Sequence, residues 1–363
     1  MNLSQIAGQF SFKGDCLDIK PFGNGHINDT FAVECKTAEG VLRYILQRLN
    51  RRVFPNPKCL MDNMSAITEF LRDKIIAEGG DPDRECLCIV RTVDDKIYYV
   101  DDNADVWRAT KFIENTQTYL VAEDGDMFAD AGRAFGQMLS RLADFDASKL
   151  YDVIPNFHNT KARYDTLLKA AEADKVGRLK DARQEYDFAQ AHSYLCPIIV
   201  DALSSSAIPL RVTHNDTKLN NVLIDATTKR AVCVIDLDTV MSGSLLYDFG
   251  DAIRVGCSTA EEDEKDLSKV GFNIENFDAF TRGYISGAGK SITKAEFELM
   301  PISAVIMTYE CGMRFLTDYL DGDNYFKTAY PEHNLVRCRT QFKQARLMLE
   351  RIEEMKNIVR KYS

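Results

Sequence analysis

The sequence predicts an α+β fold with two lobes: a small antiparallel sheet with one inserted helix, then a larger helical lobe that carries a β-hairpin. Short segments rich in β-branched and aromatic residues, separated by Asp- and Gly-containing turns, fill the first 113 residues. From residue 117 onwards, apolar residues instead recur with the 3.6-residue period of a helix. A chain of 363 residues exceeds one ordinary domain and suits two lobes.

The first lobe, residues 1–113, is expected to contain antiparallel strands and one helix. The segments with strand character are residues 16–22, 30–34, 41–46, 87–91, 97–100 and 106–113. Between the third and fourth of these segments, apolar residues give residues 60–74 the spacing of a helix. A short hinge near residues 112–116 then leads to the second lobe.

The second lobe, residues 117–363, is expected to be helical apart from one hairpin. Apolar residues follow the helical period over residues 128–142 and again over residues 342–359. Thr293-Lys-Ala-Glu296 has the form of a capping box that opens a further helix. Two apolar strands on either side of a polar turn predict the hairpin over residues 222–235.

The chain carries 55 acidic and 45 basic side chains, a formal net charge of −10. Such a surface repels phosphate backbones, so a nucleic-acid partner is not expected, whereas a cationic substrate would be tolerated. The N-terminal residues lack the basic start and apolar run of a signal peptide, and the most apolar stretch, residues 299–307, is too short to span a bilayer. Ten cysteines without C-x-x-C spacing are typical of reduced thiols, so we expect a cytoplasmic protein that does not associate with membranes.

One polar stretch, Thr213-His-Asn-Asp-Thr-Lys-Leu-Asn-Asn221, has the spacing of a phosphoryl-transfer loop. His214, Asp216 and Asn221 match the pattern H-x-D-x-x-x-x-N. Phosphoryl transfer needs a carboxylate to orient the attacking hydroxyl and oxygen ligands that hold Mg²⁺ against the phosphates. We therefore predict that Asp216 is the catalytic base and that Asn221 is a magnesium ligand. Asp236, twenty residues after Asp216, is the second predicted ligand because the hairpin returns it to the same site.

Three neighbouring side chains have predicted supporting roles. The Lys218 ammonium would lie beside the transferring phosphoryl oxygens and would favour the ionised form of Asp216. Asp238 is a further candidate for contacting the metals or the substrate. His214 is expected to be structural, with its imidazole bonding the backbone of the loop. The alternative for the whole stretch is a polar loop followed by a solvated hairpin.

Two motifs resemble metal- or phosphate-binding sequences without the required spacing. Asp248-Phe-Gly250 spells a metal-binding tripeptide of protein kinases, but it lies 32 residues after Asp216, too far for the hairpin. We expect Asp248 to brace the catalytic loop from a following helix. Gly289-Lys-Ser291 resembles the end of a phosphate loop, but Tyr284 occupies the position where that motif needs glycine, so an ordinary loop is expected.

Two segments of the first lobe are candidates for binding a nucleotide. Gly23-Asn24-Gly25-His26 lies between two predicted strands, where glycines let a backbone approach phosphates, although a plain hairpin turn explains the pattern equally well. Phe112-Ile113-Glu114 stands where the sheet gives way to helix, and its backbone groups are candidates for hydrogen bonds to adenine. Any side chains suit that role, so this inference rests on position alone.

Together these residues resemble the aminoglycoside phosphotransferase and choline kinase superfamily, whose fold is protein-kinase-like. More closely, the chain resembles the N-acetylhexosamine 1-kinases over nearly its whole length. The matching stretches outside the catalytic motif are residues 23–28, 44–47, 260–269, 310–315 and 330–337. Because these stretches carry no general kinase chemistry, their match indicates this one family.

The resemblance implies that ATP and Mg²⁺ convert N-acetylglucosamine or N-acetylgalactosamine to its 1-phosphate. In that family an Arg and a Tyr of the C-terminal helical region bond sugar hydroxyls, and the matching positions are Arg314 and Tyr325, which would join Asp216 and Lys218 around the substrate. Taken alone, Arg314 lies in an apolar helical pattern and would need a partner such as a structural ion pair. The implied partners are ATP and a small-molecule sugar, and we expect a monomer.

The third strand departs from the wider superfamily, which presents a lysine to the nucleotide phosphates there. Tyr44-Ile-Leu-Gln47 is followed by Arg48, so Gln47 takes the usual position and Arg48 is the candidate cation for the nucleotide. The N-acetylhexosamine 1-kinases resemble this chain in lacking that lysine. Glu69, in the inserted helix, either pairs with Arg48 or lies on a solvated face.

Two other functions stay open at this point. A kinase for another small alcohol, such as choline or an aminoglycoside, would suit the negative net charge. A non-catalytic nucleotide-binding or scaffold protein is the second alternative. The combination of Asp216, Asn221 and Asp236 argues against it, because binding without turnover has no need of a base.

Overall fold

Antiparallel strands dominate the first part of the chain and helices the rest in the computed structural model, which describes residues 3–23 and 27–363. Within these residues, contacts divide the chain into two units. The first contains the described residues as far as Thr118, together with Lys149–Ile154 and Val222–Met241. The second contains Tyr119–Ser148, Pro155–Asn221 and Ser242–Ser363. The predicted α+β class, with a strand-rich first part and a helical second part, is confirmed.

The described residues form eleven β-strands and twelve α-helices. The strands are β1 (Asp15–Pro21), β2 (Asp29–Thr37), β3 (Gly40–Arg48), β4 (Ile89–Val90), β5 (Tyr99–Val100), β6 (Val106–Lys111), β7 (Thr116–Gln117), β8 (Arg211–Thr213), β9 (Val222–Asp225), β10 (Ala231–Val234) and β11 (Met241–Gly243). The helices are α1 (Leu3–Ala7), α2 (Pro57–Ala77), α3 (Pro82–Glu85), α4 (Gly125–Arg141), α5 (Thr160–Ala173), α6 (Arg183–Ala191), α7 (Pro197–Ser204), α8 (Leu245–Gly256), α9 (Ile274–Ala288), α10 (Lys294–Asp321), α11 (His333–Glu350) and α12 (Ile352–Tyr362).

An antiparallel sheet with the strand order β1-β2-β3-β6-β4 forms most of the first unit, and β5 also pairs with β6. Side chains alternate between its faces, so Val33 and Cys35 of β2, and Tyr44 and Leu46 of β3, are buried in one core cluster. The strands predicted at residues 87–91 and 97–100 were too long, because only β4 and β5 within them pair. The predicted inserted helix is confirmed as α2.

Helix α2 is joined to the hairpin region by a buried asparagine. The side chain of Asn63 donates to the backbone carbonyls of Val240 at 2.9 Å and Tyr151 at 2.8 Å. The backbone N–H of Tyr151 returns a hydrogen bond to Asn63 Oδ1 at 2.9 Å. A buried amide saturated in this way fixes three separate segments of the first unit to one another.

The predicted β-hairpin is present as β9 and β10, and β7 pairs with its outer edge at β9. Asp225 begins its turn by accepting backbone hydrogen bonds from Thr227 and Thr228, at 2.9 and 2.7 Å. The sequence predicts this hairpin as part of the second lobe, whereas its contacts group residues 222–241 with the first unit. The boundary near residues 112–116 stays a prediction.

Helices α4 and α9 pack backbone against backbone in the second unit. Each carries two glycines one helical turn apart, Gly132 and Gly136 on α4 and Gly283 and Gly287 on α9. A Cβ atom at Gly283 would stand only 1.7 Å from the carbonyl oxygen of Ala129. Side-chain-free surfaces therefore set the distance between these two helices.

Helix α10 is the longest helix among the described residues and begins at the predicted capping box. Thr293 accepts from the backbone N–H of Glu296 at 3.3 Å, and the Glu296 carboxylate accepts from that of Thr293 at 2.8 Å. Gly322 ends the helix with a left-handed φ of +98°. The final helical pattern is interrupted at Arg351, which separates α11 from α12. No helix in the described part of the chain has the length and apolar character needed to cross a membrane.

Candidate active site

The catalytic-loop motif directly follows β8. Asn215 has a left-handed φ of +64°, a conformation that asparagine tolerates better than most residues. The ring of His214 is buried, and its Nδ1 accepts a hydrogen bond from the backbone N–H of Asp216 at 3.2 Å. The predicted structural role of His214 is therefore confirmed, because its imidazole holds the backbone immediately before the Asp216 side chain.

Asp248, in the first turn of α8, braces the same loop. Its two carboxylate oxygens accept from the backbone N–H groups of His214 at 2.9 Å and Asn215 at 2.7 Å. The hydroxyl of Thr217 donates to the backbone carbonyl of Asp248. Burial raises the pKa of the Asp248 carboxyl, although its interaction with His214 and the two backbone hydrogen bonds act in the opposite direction. The prediction that Asp248 braces the loop is confirmed.

The Asp216 carboxylate lies between a cation and an amide of its own loop. Lys218 Nζ is 2.6 Å from Asp216 Oδ1, and Asn221 Nδ2 donates to Asp216 Oδ2 at 3.0 Å and to its backbone carbonyl at 2.8 Å. Burial opposes the charge on Lys218, but the carboxylates of Asp216 and Asp251 outweigh it and raise the pKa of that ammonium. The loop therefore holds an oriented Asp216 beside a permanent positive charge.

The predicted magnesium ligands offer oxygen atoms of the kind that Mg²⁺ prefers. Asn221 donates through Nδ2, and its Oδ1 has no hydrogen-bond partner among the residues that the structure describes. Asp236 follows β10 with a left-handed φ of +62° and leads into a tight turn over Leu237–Thr239. Amide and carboxylate oxygens fit a hard cation that completes its octahedron with water and phosphate. No cluster of three or more His, Cys, Asp or Glu arranged for a metal was found in the described segments.

Asp238, the third metal candidate, is buried in a polar network of the first unit. Its carboxylate forms an ion pair with Arg108 of β6, and both side chains are at most 4 % exposed. Asn28 donates to Asp238 Oδ2 at 2.6 Å and accepts from the backbone N–H of Asn50 at 3.0 Å. A carboxylate held by a cation and an amide anchors the turn that follows Asp236. Its predicted metal role stays a proposal.

The third strand places Gln47 and Arg48 in different environments. Gln47 accepts from Arg108 Nε at 2.9 Å and donates to Thr30 Oγ1 at 3.1 Å, so it supports the buried arginine opposite it. Arg48 instead binds Asp29 at 2.8 Å and Asp105 at 3.0 Å.

The suggested pair between Arg48 and Glu69 is wrong. Glu69 accepts from Ser65 Oγ at 2.8 Å and lies 3.6 Å from Arg91. The other reading, a solvated face, fits, because the Glu69 side chain is 65 % exposed. Arg48 pairs with Asp29 and Asp105 instead of Glu69.

The predicted nucleotide-binding segments are described in part. Gly23 has a left-handed φ of +75°, while Asn24, Gly25 and His26 lie outside the described residues. In the second segment, the backbone N–H of Phe112 donates to the backbone carbonyl of Arg43 at 3.1 Å. The Arg43 guanidinium lies 3.9 Å above the Phe112 ring.

The rest of that segment is also held by protein groups. The carboxylate of Glu114 receives two bonds from Arg43, and its carbonyl accepts from Arg84 at 2.8 Å. Ile113 is buried, and its carbonyl accepts from Thr116 Oγ1 at 2.7 Å. The role of both segments in nucleotide binding stays a prediction.

Arg314 of α10 is half-buried and lacks the structural ion pair that was its alternative explanation. Among the described residues no carboxylate lies within salt-bridge distance of its guanidinium, and no hydrogen-bond acceptor binds it. The guanidinium instead faces the rings of Phe157, Tyr325 and Phe326, at 5.2, 5.9 and 5.5 Å. The planar donors of Arg314 are therefore left for a ligand. Tyr325 is 64 % exposed beside it.

A buried acid lies one helical turn before Arg314. Glu310 accepts from His158 Nδ1 at 2.8 Å and from Thr160 Oγ1 at 2.5 Å. Burial disfavours the ionised Glu310, but its hydrogen bonds with His158 and Thr160 and the nearby charge of Arg314 outweigh burial and lower its pKa. Nearby Arg163 donates twice to the Phe157 carbonyl, and burial together with the charge of Arg314 lowers the pKa of Arg163.

We call Phe157, His158, Arg163, Glu310, Arg314, Tyr325 and Phe326 the Arg314 cluster. It combines two guanidinium groups with one carboxylate, so its local charge is positive in a protein whose net charge is −10. This contrast between local and overall charge was not visible in the composition.

The loop that carries Tyr325 is shaped by a carboxylate on the same helix. Asp318 accepts backbone hydrogen bonds from Asn324, Tyr325 and Phe326 at 2.8 to 2.9 Å. Asn334 of α11 donates to the same carboxylate at 2.8 Å. The sequence patterns did not reveal Asp318, His158 or Glu310 as parts of this region. The signal for Asp318 was an acidic residue four positions after Arg314, within an apolar helical pattern that ends at Gly322.

The sequence matches the phosphotransferase enzyme family over residues 18–277. Three solved structures share its fold at low sequence identity. An aminoglycoside phosphotransferase from Alicyclobacillus acidocaldarius superposes with a TM-score of 0.63 at 13 % identity, covering 99 % of this chain and 97 % of that one. A choline kinase from Cryptosporidium parvum gives 0.57 at 14 %, covering 95 % and 92 %. Spectinomycin phosphotransferase in complex with ADP and spectinomycin gives 0.51 at 13 %, covering 93 % of each chain. At these identities the likeness concerns the fold alone.

Proposed function

The chain belongs to the phosphotransferase enzyme family, and from this premise we propose that it transfers the γ-phosphoryl group of ATP to the anomeric hydroxyl of an N-acetylhexosamine. The product is the sugar 1-phosphate. The protein needs to supply little covalent chemistry for such a transfer, because positioning and charge stabilisation provide most of the catalysis.

The unpaired Arg314 is the observation that carries the choice of acceptor. A guanidinium that faces three aromatic rings and lacks a carboxylate partner has donors to offer to neutral oxygen atoms. With Arg163 beside it, the Arg314 cluster repels a cationic acceptor. Sugar hydroxyls and an acetamido carbonyl suit these donors, and aromatic rings suit the apolar face of a pyranose.

The catalytic loop supplies the groups that act on the acceptor hydroxyl. Asp216 accepts its proton as the anomeric oxygen attacks, and Asn221 Nδ2 keeps the carboxylate oriented. Lys218, whose Nζ is 2.6 Å from Asp216 Oδ1, stabilises negative charge on the phosphoryl oxygens during transfer. Asn221 and Asp236 each offer an oxygen ligand of the kind that Mg²⁺ takes, and the ion would neutralise charge on the nucleotide phosphates.

Phosphorus NMR of the product tests this proposal. The protein is incubated with ATP, Mg²⁺ and, in turn, N-acetylglucosamine, N-acetylgalactosamine, choline and an aminoglycoside, and we expect an anomeric phosphate signal with at least one sugar. Asp216→Asn should fold normally and lose about 10²- to 10⁴-fold in turnover, because it removes a positioned general base. Near-normal turnover in that variant would refute the assignment of Asp216.

One observation favours a second candidate, a kinase for a cationic alcohol such as choline or an aminoglycoside. The net charge of −10 would attract such an acceptor from a distance. The positive Arg314 cluster acts against it at close range, where the charges are strongest. A clear preference for choline or the aminoglycoside in the same acceptor series would replace the sugar assignment.

A further inference from the structure

We propose that Nε2 of His158 binds the substrate alcohol directly. It accepts a hydrogen bond from that molecule, opposite the donors of Arg314. The inference rests on the proposed function, because it places the acceptor in the Arg314 cluster. It adds a residue from the segment before α5 to a site so far built from the catalytic loop and α10.

The His158 ring is held rigidly with one nitrogen unused. Its Nδ1 is 2.8 Å from Glu310 Oε1, and its ring packs between Phe157 at 4.4 Å and Tyr247 at 5.1 Å. The residue is only 8 % exposed. Nevertheless Nε2 is buried without a hydrogen-bond partner among the described residues.

A buried polar atom without a partner is rare in a folded protein and calls for an explanation. A structural histidine would normally use both nitrogens, as His333 does. Its Nδ1 accepts from the Ala329 N–H at 3.1 Å, and its Nε2 lies 3.1 Å from Asp263. His158 satisfies only its inner nitrogen. A ligand that supplies the second hydrogen bond explains this geometry.

The position of His158 links the Arg314 cluster to the catalytic loop. Its partner Glu310 lies four residues before Arg314 on α10, hence on the same helix face. On the other side, the ring of His158 packs against the ring of Tyr247 at a centroid distance of 5.1 Å, and Tyr247 directly precedes Asp248, which braces the catalytic loop. His158 therefore connects α10 to the first turn of α8, which supports the loop that carries Asp216.

The chemistry of Nε2 follows from its ring partner. Nδ1 of His158 lies 2.8 Å from Glu310 Oε1, and a carboxylate oxygen there can only accept, so the ring hydrogen belongs on Nδ1. In the tautomer with its single hydrogen on Nδ1, Nε2 has a lone pair and accepts a hydrogen bond from an O–H or N–H group. Arg314 only donates. A ligand with hydroxyl or acetamido groups can meet both requirements, whereas a quaternary ammonium has no hydrogen to donate to Nε2.

Three variants separate binding by Nε2 from support of Glu310. His158→Asn keeps a donor near the Nδ1 position and removes Nε2. His158→Gln places a polar group near Nε2 and loses the bond to Glu310. Thr160→Val removes the other hydrogen bond of Glu310 and leaves His158 intact. Calorimetric titration with N-acetylglucosamine and with ATP gives the two dissociation constants for each variant, and thermal melting checks folding.

We expect His158→Asn to weaken sugar binding about tenfold or more and to change ATP binding less than about twofold. Thr160→Val should bind sugar nearly as well as the unchanged protein, and His158→Gln should bind it better than His158→Asn. Unchanged sugar affinity in a folded His158→Asn protein would overturn the proposal. So would equal losses in His158→Asn and Thr160→Val, because the histidine would then act only through Glu310.

The failure of the proposed function has a different signature. If the unchanged protein phosphorylates another alcohol and binds no N-acetylhexosamine, the sugar assignment fails. The same variants are then titrated with that alcohol. A selective loss in His158→Asn there supports the role of Nε2, and equal affinities in all three variants overturn it.

Discussion

Replacement of Asp248 by alanine tests how the catalytic loop is held in place. The Asp248 carboxylate is the acceptor for two backbone N–H groups, those of His214 and Asn215, which are only 1 % and 5 % exposed. Removing the side chain leaves both donors buried in a space that the alanine methyl group does not fill.

The expected loss of stability can be worked out from these two bonds. Each buried donor left without a partner costs about 1–3 kcal/mol, so the two together cost about 2–6 kcal/mol. Burial raises the pKa of Asp248, which means that keeping this carboxylate ionised inside the protein is itself unfavourable. Its removal recovers part of that penalty. We therefore expect Asp248→Ala to lower the free energy of unfolding by about 2–4 kcal/mol.

Urea unfolding measures this change, and a matched aspartate provides the control. Asp266 also accepts from a backbone N–H, that of Ser268 at 3.1 Å, but in an exposed turn where water can replace it. Asp266→Ala should cost less than about 1 kcal/mol. In the same proteins, kcat should fall about 10²-fold for Asp248→Ala, since the unsupported backbone leads directly into Asp216. The KM for ATP should change little.

The reasoning fails if Asp248→Ala unfolds at the same urea concentration as the unchanged protein. It also fails if the two alanine variants lose equal stability, because burial of the donors would then be irrelevant. A large loss of stability with unchanged kcat would show that the loop keeps its geometry without the brace.

Two further substitutions test packing and acceptor binding. Gly283→Ala should lower the free energy of unfolding by about 1–3 kcal/mol, because its Cβ would overlap a backbone oxygen of α4. Gly125→Ala, whose Cβ would have its nearest neighbour at 3.7 Å, should be neutral or slightly stabilising in the same urea experiment. Equal effects would contradict the close approach of α4 and α9. Arg314→Met should raise the KM for the sugar about tenfold or more without changing the KM for ATP. The control Arg346→Met removes an exposed arginine whose guanidinium lies 5.3 Å above the Phe188 ring, and it should change neither KM value. Matching kinetics in these two arginine variants would remove the basis for the acceptor assignment.

Local sequence patterns predicted the elements whose own residues decide their structure. The capping box at Thr293, the inserted helix and the hairpin each depend on neighbours within a few positions, and all three are present. The strands around β4 and β5 were predicted too long because strand propensity does not reveal where a partner strand ends. The break at Arg351 was missed because the apolar period continues through it.

The candidate site divides in the same way. The loop motif and the brace by Asp248 could be predicted, because a fixed spacing and a following helix imply them. The partners of Arg108 and Glu310 could not, since they lie 130 and 152 residues away, at Asp238 and His158. Such pairs depend on which elements the fold brings together, and a single sequence records them only as isolated charged residues.

Helix α10 fixes the spacing of three charged side chains. Glu310, Arg314 and Asp318 occur at intervals of four residues, so they are spread over about 12 Å of one continuous helix. Substitutions at these positions would alter what each side chain binds and would leave their spacing intact. A single residue inserted between them would rotate every later position by about 100° around the helix axis. Substitutions along α10 can therefore change what these positions bind without changing their spacing, whereas an insertion after Gly322 leaves that spacing untouched.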